Sequence, residues 1–395
     1  MIIGIVGYRF DHYAYLRNII GKAPGVEYRK AKDAYAYLNA GVRTLNRLAK
    51  REILSTFDLN NQFYDFNLNK VDLMHLFNGI SYGRTPWIST FETILPRFRM
   101  VVQRTHGSSP GFMSEWKLRR AFDTLAGEPC KQIIAMSECT ANMQRELLVE
   151  FSSYRENIER KLVVMHPPQD ILVSQFADKH IDLDGRIKFM FVGNEFFRKG
   201  GREIVETLKM LRDQHHYDIE LTIVSAFRTE SYAVDVNPGD VQRMAAFFQE
   251  NHDWIKYIPH LPNSEVLDLM KQAHIGLLPT YADSYGYSVL EFQAAGCPVI
   301  STNVRALPEI NDIGKGWIIE VPKNRLGEAI YSTESDRLVI SEAIRTGLEK
   351  VVHEIFADKS IIPIKSERAI LSIKTNHSME YFSTQMKKIY MNAIS

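Results

Sequence analysis

The sequence predicts an α/β protein built from two doubly wound parallel sheets. Three observations carry this reading. Short β-branched apolar runs alternate with amphipathic stretches, the series of runs starts again near the middle of the chain, and 395 residues suit two domains of about 150 to 200 residues each. Apolar residues make up 45% of the chain and charged residues 24%, with near balance of sign, which excludes a disordered tail or a fibre.

The apolar runs of the first half are IIGIVG, VDLMHLF, PWISTFE, KQIIAMS and KLVVMH. They are almost continuously apolar, as strands buried on both faces of a parallel sheet must be. Between them KDAYAYLNAGVRTLNRLAKREIL and SECTANMQRELLVEF carry apolar residues at spacings of three and four, the mark of helices packed on a sheet. The polar stretch VVMHPPQDILVSQFADKHIDLDGR, with two prolines and a glycine, marks a domain boundary near residues 167 to 186. The second series follows as IKFMFVG, IELTIVS, WIKYIP, HIGLLPT and CPVIST, with GGREIVETLKMLRDQ as a helix after the first of them. The last segment, NHSMEYFSTQMKKIYMNAIS, reads as one more helix over about residues 376–395, free to pack back on the first domain. The domains are placed at 1–170 and 171–375.

Several classes fall away early. Cys130, Cys139 and Cys297 form neither an even set nor a metal-ligand spacing, so reduced thiols in a cytoplasmic protein are expected. The opening MIIGIVGYRF is short and runs into Arg9 and Asp11 without a basic leader, which suits a buried strand better than a signal peptide. No run approaches the roughly eighteen apolar residues of a membrane span. DLDG at 182–185 has the form of a D-x-D metal motif, but it precedes a strand and reads as a turn. Residues 1 to 170 hold 23 Lys and Arg against 17 Asp and Glu, a balance that suits an anionic acceptor or an anionic membrane surface, although solvated surface accounts for it as well.

Ligands of open parallel sheets bind beyond the carboxyl ends of the strands. Two loops in the second half stand out there. FVGNEFFRKGG, residues 191–201, places Arg198 and Lys199 just before two glycines that open a helix, where cations and backbone amides together suit a diphosphate. YADSYGYSVLEFQAAGCPVIS, residues 281–301, places Asp283 on a loop and Glu291 in the helix that follows. Gly286 permits close backbone approach, a helix is expected from about residue 287 through 295, and Gly296 ends it as a left-handed cap two residues before Pro298. A carboxylate such as Glu291 accepts from a vicinal diol such as ribose, and Asp283 from sugar hydroxyls. Taken singly, each of these side chains is equally well a solvated loop or helix residue; together they point to one site.

The segment from about residue 187 to 311 resembles the donor-binding half of family 4 glycosyltransferases, the retaining enzymes of the GT-B fold. FVGNEFFRKGG is similar to their strand, loop and helix with a Lys-Gly. DSYGYSVLEFQAAGCPVISTNVRALPEI is similar to their E-x7-E block with its A-x-G-x-P-V-I and L-P-E-I continuation. In the first half VDLMHLFN, PWISTFE, KQIIAMSECT and KLVVMHPPQD resemble, in order and spacing, the strands of that family's acceptor domain. The resemblance implies two Rossmann-like doubly wound domains facing across a cleft, with the acceptor domain first and the nucleotide-sugar donor domain second. It implies that Arg198 and Lys199 hold the donor diphosphate, that Glu291 holds the ribose, that Gly286, Tyr287 and Ser288 offer backbone amides, and that Asp283 lies near the donor sugar. It implies no cofactor beyond the nucleoside diphosphate sugar itself, and no metal. This sequence departs from the family at three places. Asp283 is one methylene shorter than the usual Glu, Asn194 stands where many members carry Arg, and Glu92 stands where many carry His; His106 in RTHGSSPG is a further candidate.

The expected function is therefore retaining transfer of a sugar to a glycan, lipid-linked or other hydroxyl acceptor in polysaccharide or glycoconjugate biosynthesis. A cytoplasmic protein with peripheral contact at the inner membrane face and no nucleic-acid partner is expected. The tyrosines of YRFDHYAYLRN offer the first domain aromatic faces for an acceptor. Three alternatives stay open: a nucleotide-sugar binding protein without turnover, a related GT-B phosphorylase or epimerase, and a dehydrogenase. The last lacks the full G-x-G-x-x-G, having only Gly4 and Gly7 after the first strand.

Overall fold

Where β-branched and aromatic residues run together the chain forms strands, and the intervening amphipathic runs form helices. The computed structural model describes residues 1–6, 15–104, 112–228 and 232–395. Two compact units result: Met1–Pro168 together with Met379–Ser395, and Gln169–Ser378.

The first unit holds a six-stranded sheet of β1 (Ile2–Ile5), β2 (Glu27–Lys30), β3 (Leu73–Phe77), β4 (Trp87–Phe91), β5 (Cys130–Ala135) and β6 (Leu162–Val164), in the order β2-β1-β3-β4-β5-β6. Every pairing is parallel. Every residue of β3 and β4 is buried, so these are the central strands. Strand β2, EYRK, was not anticipated: it is a polar edge strand with no apolar run to announce it. Helix α1 spans Ala34–Ala49, with Asp33 as its N-cap accepting from the Tyr35 amide at 3.0 Å. The amphipathic run that reads on through Leu54 stops earlier because Lys50 turns into the left-handed region (φ 51°) and caps the helix. Helix α2, Glu138–Glu150, starts at the Ser137 cap, whose hydroxyl accepts from the Thr140 amide at 3.1 Å.

The second unit holds β7 (Ile187–Gly193), β8 (Ile219–Ser225), β9 (Ile255–Ile258), β10 (Ile275–Leu278), β11 (Val299–Thr302) and β12 (Trp317–Ile319), all parallel, in the order β9-β8-β7-β10-β11-β12. Renumbered within the unit this is 3-2-1-4-5-6, the doubly wound order whose topological switch point lies between the first and fourth strands. The switch point is thus between β7 and β10. Helices α3 (Gly201–His215), α4 (Asn263–Gln272), α5 (Tyr287–Ala294), α6 (Glu334–Ala357) and α7 (Ile361–Asn376) belong to this unit. The final helix, α8 (Met379–Ile394), belongs to the first unit, where the Tyr390 hydroxyl meets His75 Nδ1 at 2.7 Å. Among the described residues no helix is long and apolar enough to cross a membrane.

Candidate functional site

The loops that leave β7 and β10 flank the switch point, and they are sewn to each other. The Tyr281 amide donates to the Arg198 carbonyl at 3.0 Å, and the Thr280 hydroxyl donates to the same carbonyl at 3.2 Å. Gly200 makes this approach possible: its φ is +80°, and a Cβ there would stand 2.1 Å from the Pro279 carbonyl oxygen. Gly193 serves Lys199 in the same way, since a Cβ on it would meet Lys199 Cδ at 2.3 Å. The lysine stem lies over the glycine at the end of β7.

The two cations turn to the loop after β10. Lys199 Nζ pairs with Asp283 Oδ2 at 2.6 Å, with only 14% and 13% of the side chains exposed. Burial alone would raise the Asp283 carboxyl; Lys199 at contact distance, Arg198 nearby and the Tyr285 amide outweigh it, leaving the group below its ordinary range. The Arg198 guanidinium forms a forked pair with Glu195, Nε to Oε2 at 2.6 Å and Nη2 to Oε1 at 2.9 Å. It also donates to the Ala282 carbonyl, and lies 5.3 Å from the centroid of the Tyr232 ring. Burial disfavours the Arg198 charge, but Glu195, Tyr232 and Asp283 offset it, and the group stays protonated.

The other expected residues fall as follows. Gly286, the residue before α5, has φ +91°, and a Cβ on it would lie 2.5 Å from Leu307 Cδ2, so the close approach it permits is to an internal leucine. Tyr287 and Ser288 open α5 and are half-buried. Glu291 is buried, not an exposed helical acid, and accepts from Asn263 Nδ2, at the start of α4, at 3.2 Å. Asn194 is exposed. The amides of Lys199, Gly200 and Gly201 are already engaged within their loop, by Glu195, Phe197 and Phe196 respectively. Glu92, in the first unit, accepts from Asn78 Nδ2 at 3.3 Å and lies 3.4 Å from Arg97. His106 and most of YRFDHYAYLRN lie outside the described residues. At 182–185 the Asp184 amide donates to Asp182 Oδ1 at 2.8 Å, a local bend.

Three participants escaped the sequence reading. Glu195 had a signal, a carboxylate three residues before Arg198 in one loop. Asn263 and Tyr232 had none, because their loops follow β9 and β8 while their partners, Glu291 and Arg198, lie after β10 and β7.

Residues 174–347 match the family model of glycosyl transferases group 1. The segment is a group 1 glycosyltransferase domain. The chain is 24% identical over 260 residues to the glycogen synthase of Mycobacterium tuberculosis (strain CDC 1551 / Oshkosh), covering 64% of this chain and 59% of that enzyme. It therefore spans about three fifths of the length of that relative. It is 28% identical over 71 residues, 18% of each chain, to the O-antigen chain mannosyltransferase B of Escherichia coli. A glycosyltransferase from Rickettsia africae aligns over 100% of this chain and 98% of its own, with TM-score 0.60 at 15% identity. The structure of Anabaena HepE in complex with UDP aligns over 98% of each chain, with TM-score 0.58 at 13% identity. Such likeness establishes the fold: the two parallel sheets are those of the GT-B glycosyltransferases. The group 1 match covers all the loops of the candidate site, from Asn194 through Glu291.

Proposed function

We propose that the group 1 domain binds a nucleoside diphosphate sugar and that the chain transfers its sugar, with retention of configuration, to a hydroxyl of a glycan or lipid-linked acceptor. The observation that carries the reading is the 2.6 Å contact of Lys199 with Asp283, 84 positions apart, beside Arg198 on the Ala282 carbonyl. Two loops from either side of the switch point thereby set two cations, each paired with a carboxylate, at one place where a sugar diphosphate can meet them.

Breaking the bond between anomeric carbon and phosphate oxygen leaves negative charge on the diphosphate and positive charge on the sugar. Arg198 and Lys199 stabilise the first; fixed cations of this kind do the work a metal does elsewhere, so the reaction is metal-independent in this reading. Asp283 faces the sugar, and Glu291 accepts from the ribose. The acceptor attacks from the face the diphosphate leaves, its proton passing to the departing phosphate oxygen, so no side chain forms a covalent intermediate. Glu92 and His106 are the residues of the first unit proposed to orient the acceptor. The basic balance of residues 1 to 170 supports peripheral contact at the inner membrane face where the acceptor is lipid-linked.

The test is a thermal-shift screen with UDP, GDP, ADP and their sugars. A ligand at a hundred times its dissociation constant adds about 2.7 kcal/mol to stability. No shift with any of them rejects the reading. A second reading, binding without turnover, draws on the pairing of both cations with Glu195 and Asp283 and on the neutral Asn194. Labelled donor that binds but gives no product with any acceptor decides for it.

A further inference from the structure

Glu203 stands on the first turn of α3 and is 1% exposed, beside the buried Ile204, Val205 and Leu208. One carboxylate oxygen, Oε1, accepts from the Tyr281 hydroxyl at 2.9 Å and from the Ser341 hydroxyl of α6 at 2.9 Å, with Arg202 Nε at 3.8 Å. The other, Oε2, has no hydrogen-bond partner among the described residues. A buried carboxylate satisfied on one side only is less favourable than an aliphatic side chain of the same size, so packing does not account for it. Orientation does. Tyr281 is buried and fixed at both ends: its amide on the Arg198 carbonyl, its phenol on Glu203. Burial and the Glu203 charge push that phenol far above its ordinary range, so it remains a donor. Two residues further on, Asp283 meets Lys199.

We infer that Glu203 is a positioning residue: through Tyr281 it holds the 281–285 loop so that the Asp283 carboxylate stays opposite Lys199. The inference rests on the donor-site reading above and adds a residue to it.

The test compares two hydroxyl donors to one oxygen. Tyr281→Phe and Ser341→Ala each remove one hydrogen bond from Glu203, and Ser341 also reaches the Tyr281 phenol, but only the first variant cuts the tie between the loop and the carboxylate. In the ligand-free full chain, amide exchange over 281–283 is expected to rise about tenfold in Tyr281→Phe and to stay within about twofold of the parent in Ser341→Ala. Glu203→Gln, which keeps an acceptor for Tyr281, is expected to stay near the parent. Titrations with UDP-glucose, GDP-mannose and ADP-glucose follow, with about tenfold weaker binding in Tyr281→Phe alone for whichever of these nucleotides binds the parent, because the released Asp283 no longer meets the sugar. Equal exchange in both variants, raised or not, overturns the inference, as does unchanged affinity in Tyr281→Phe. Binding of none of the three nucleotides to the parent, with the exchange contrast intact, overturns the donor-site reading and leaves the anchoring of the loop upheld.

Discussion

The two sheets carry polar clusters of opposite kinds near their switch points. On β3 of the first unit His75 is wholly buried, its Nδ1 on the Tyr390 hydroxyl at 2.7 Å and its Nε2 on Thr90 Oγ1 at 2.8 Å, while the Tyr15 hydroxyl donates to its carbonyl. Beyond β7 and β10 of the second unit the partners are full charges, Lys199 with Asp283 and Arg198 with Glu195, each partly open to solvent. A neutral, satisfied cluster fixes structure at little electrostatic cost, here joining β3, β4 and α8. Paired charges at a loop fix structure less efficiently, because each ion gives up hydration. They have one property the neutral cluster lacks: an incoming anion can take a partner's place. That difference separates the region that holds the fold from the region proposed to meet a ligand.

The largest effect expected from this contrast is on acid stability. Burial lowers the pKa of His75 to about 3. The unfolded chain therefore takes up the proton first, near pH 6.5, so the contribution of His75 is whole above that pH and is lost as pH falls toward 3. The slope is about 1.4 kcal/mol per pH unit for one proton. His75→Gln, which keeps one hydrogen bond and cannot titrate, is expected to be less stable at pH 7 but to lose stability less steeply between pH 6 and pH 4. Denaturant unfolding at a series of pH values measures this. His274 in the second unit, lowered to about 4 mainly by burial, contributes to parent and variant alike. Equal slopes in the two proteins would show that His75 charges in the folded state and that the two clusters are not distinct in kind.

Next in size is Lys199→Ala. It removes a cation from the proposed leaving group and leaves Asp283 without its principal partner. Turnover is expected to fall about 10²-fold or more, the usual loss for one fixed donor to developing charge. Steady-state kinetics with the donor identified by the thermal-shift screen checks it. The same variant sharpens the comparison through pH. Asp283 sits below its ordinary range in the folded chain, so the pair's contribution is present above about pH 4 and lost as pH falls through the folded value. Lys199→Ala should flatten that acid limb while leaving the His75 limb in place. A loss of turnover no greater than for an exposed lysine such as Lys256 would remove Lys199 from the machinery.

Legibility in the sequence follows burial. The ten apolar runs all became strands of the two sheets, because a strand covered on both faces must be apolar along its length. Strand β2 was missed for the converse reason, and β12, three residues of Trp317–Ile319, is too short to carry a period. The loops were legible where glycines and charges cluster, at Arg198, Lys199 and Gly286. The Lys199 contact with Asp283 was not, since it depends on β7 lying beside β10, a fact of sheet order. Nor did the sequence show that Glu195 neutralises Arg198, or that the amides of Lys199, Gly200 and Gly201 bond within their own loop. Partners within one loop and partners across the switch point are equally close in space, but only the first leave a trace in local spacing, and then only as an alternative among several.

The smallest expected effect concerns Asn263, which reaches Glu291 from the start of α4 at 3.2 Å. If Glu291 accepts from the ribose diol, Asn263 helps hold the carboxylate in place for it. Removing one hydrogen bond to a charged group of this kind costs about 1.5 kcal/mol, or about tenfold in affinity. Asn263→Ala is therefore expected to weaken nucleoside diphosphate binding by up to that factor, well below the effect of Lys199→Ala. The decisive comparison is with the 2′-deoxy nucleotide. The parent should prefer the ribonucleotide, and Asn263→Ala should shrink that preference while binding of the deoxy form changes little. Calorimetric titration of both nucleotides with both proteins measures all four affinities. An equal loss for the two nucleotides would place Asn263 in the packing of α4 against α5, and Glu291 away from the sugar of the nucleotide.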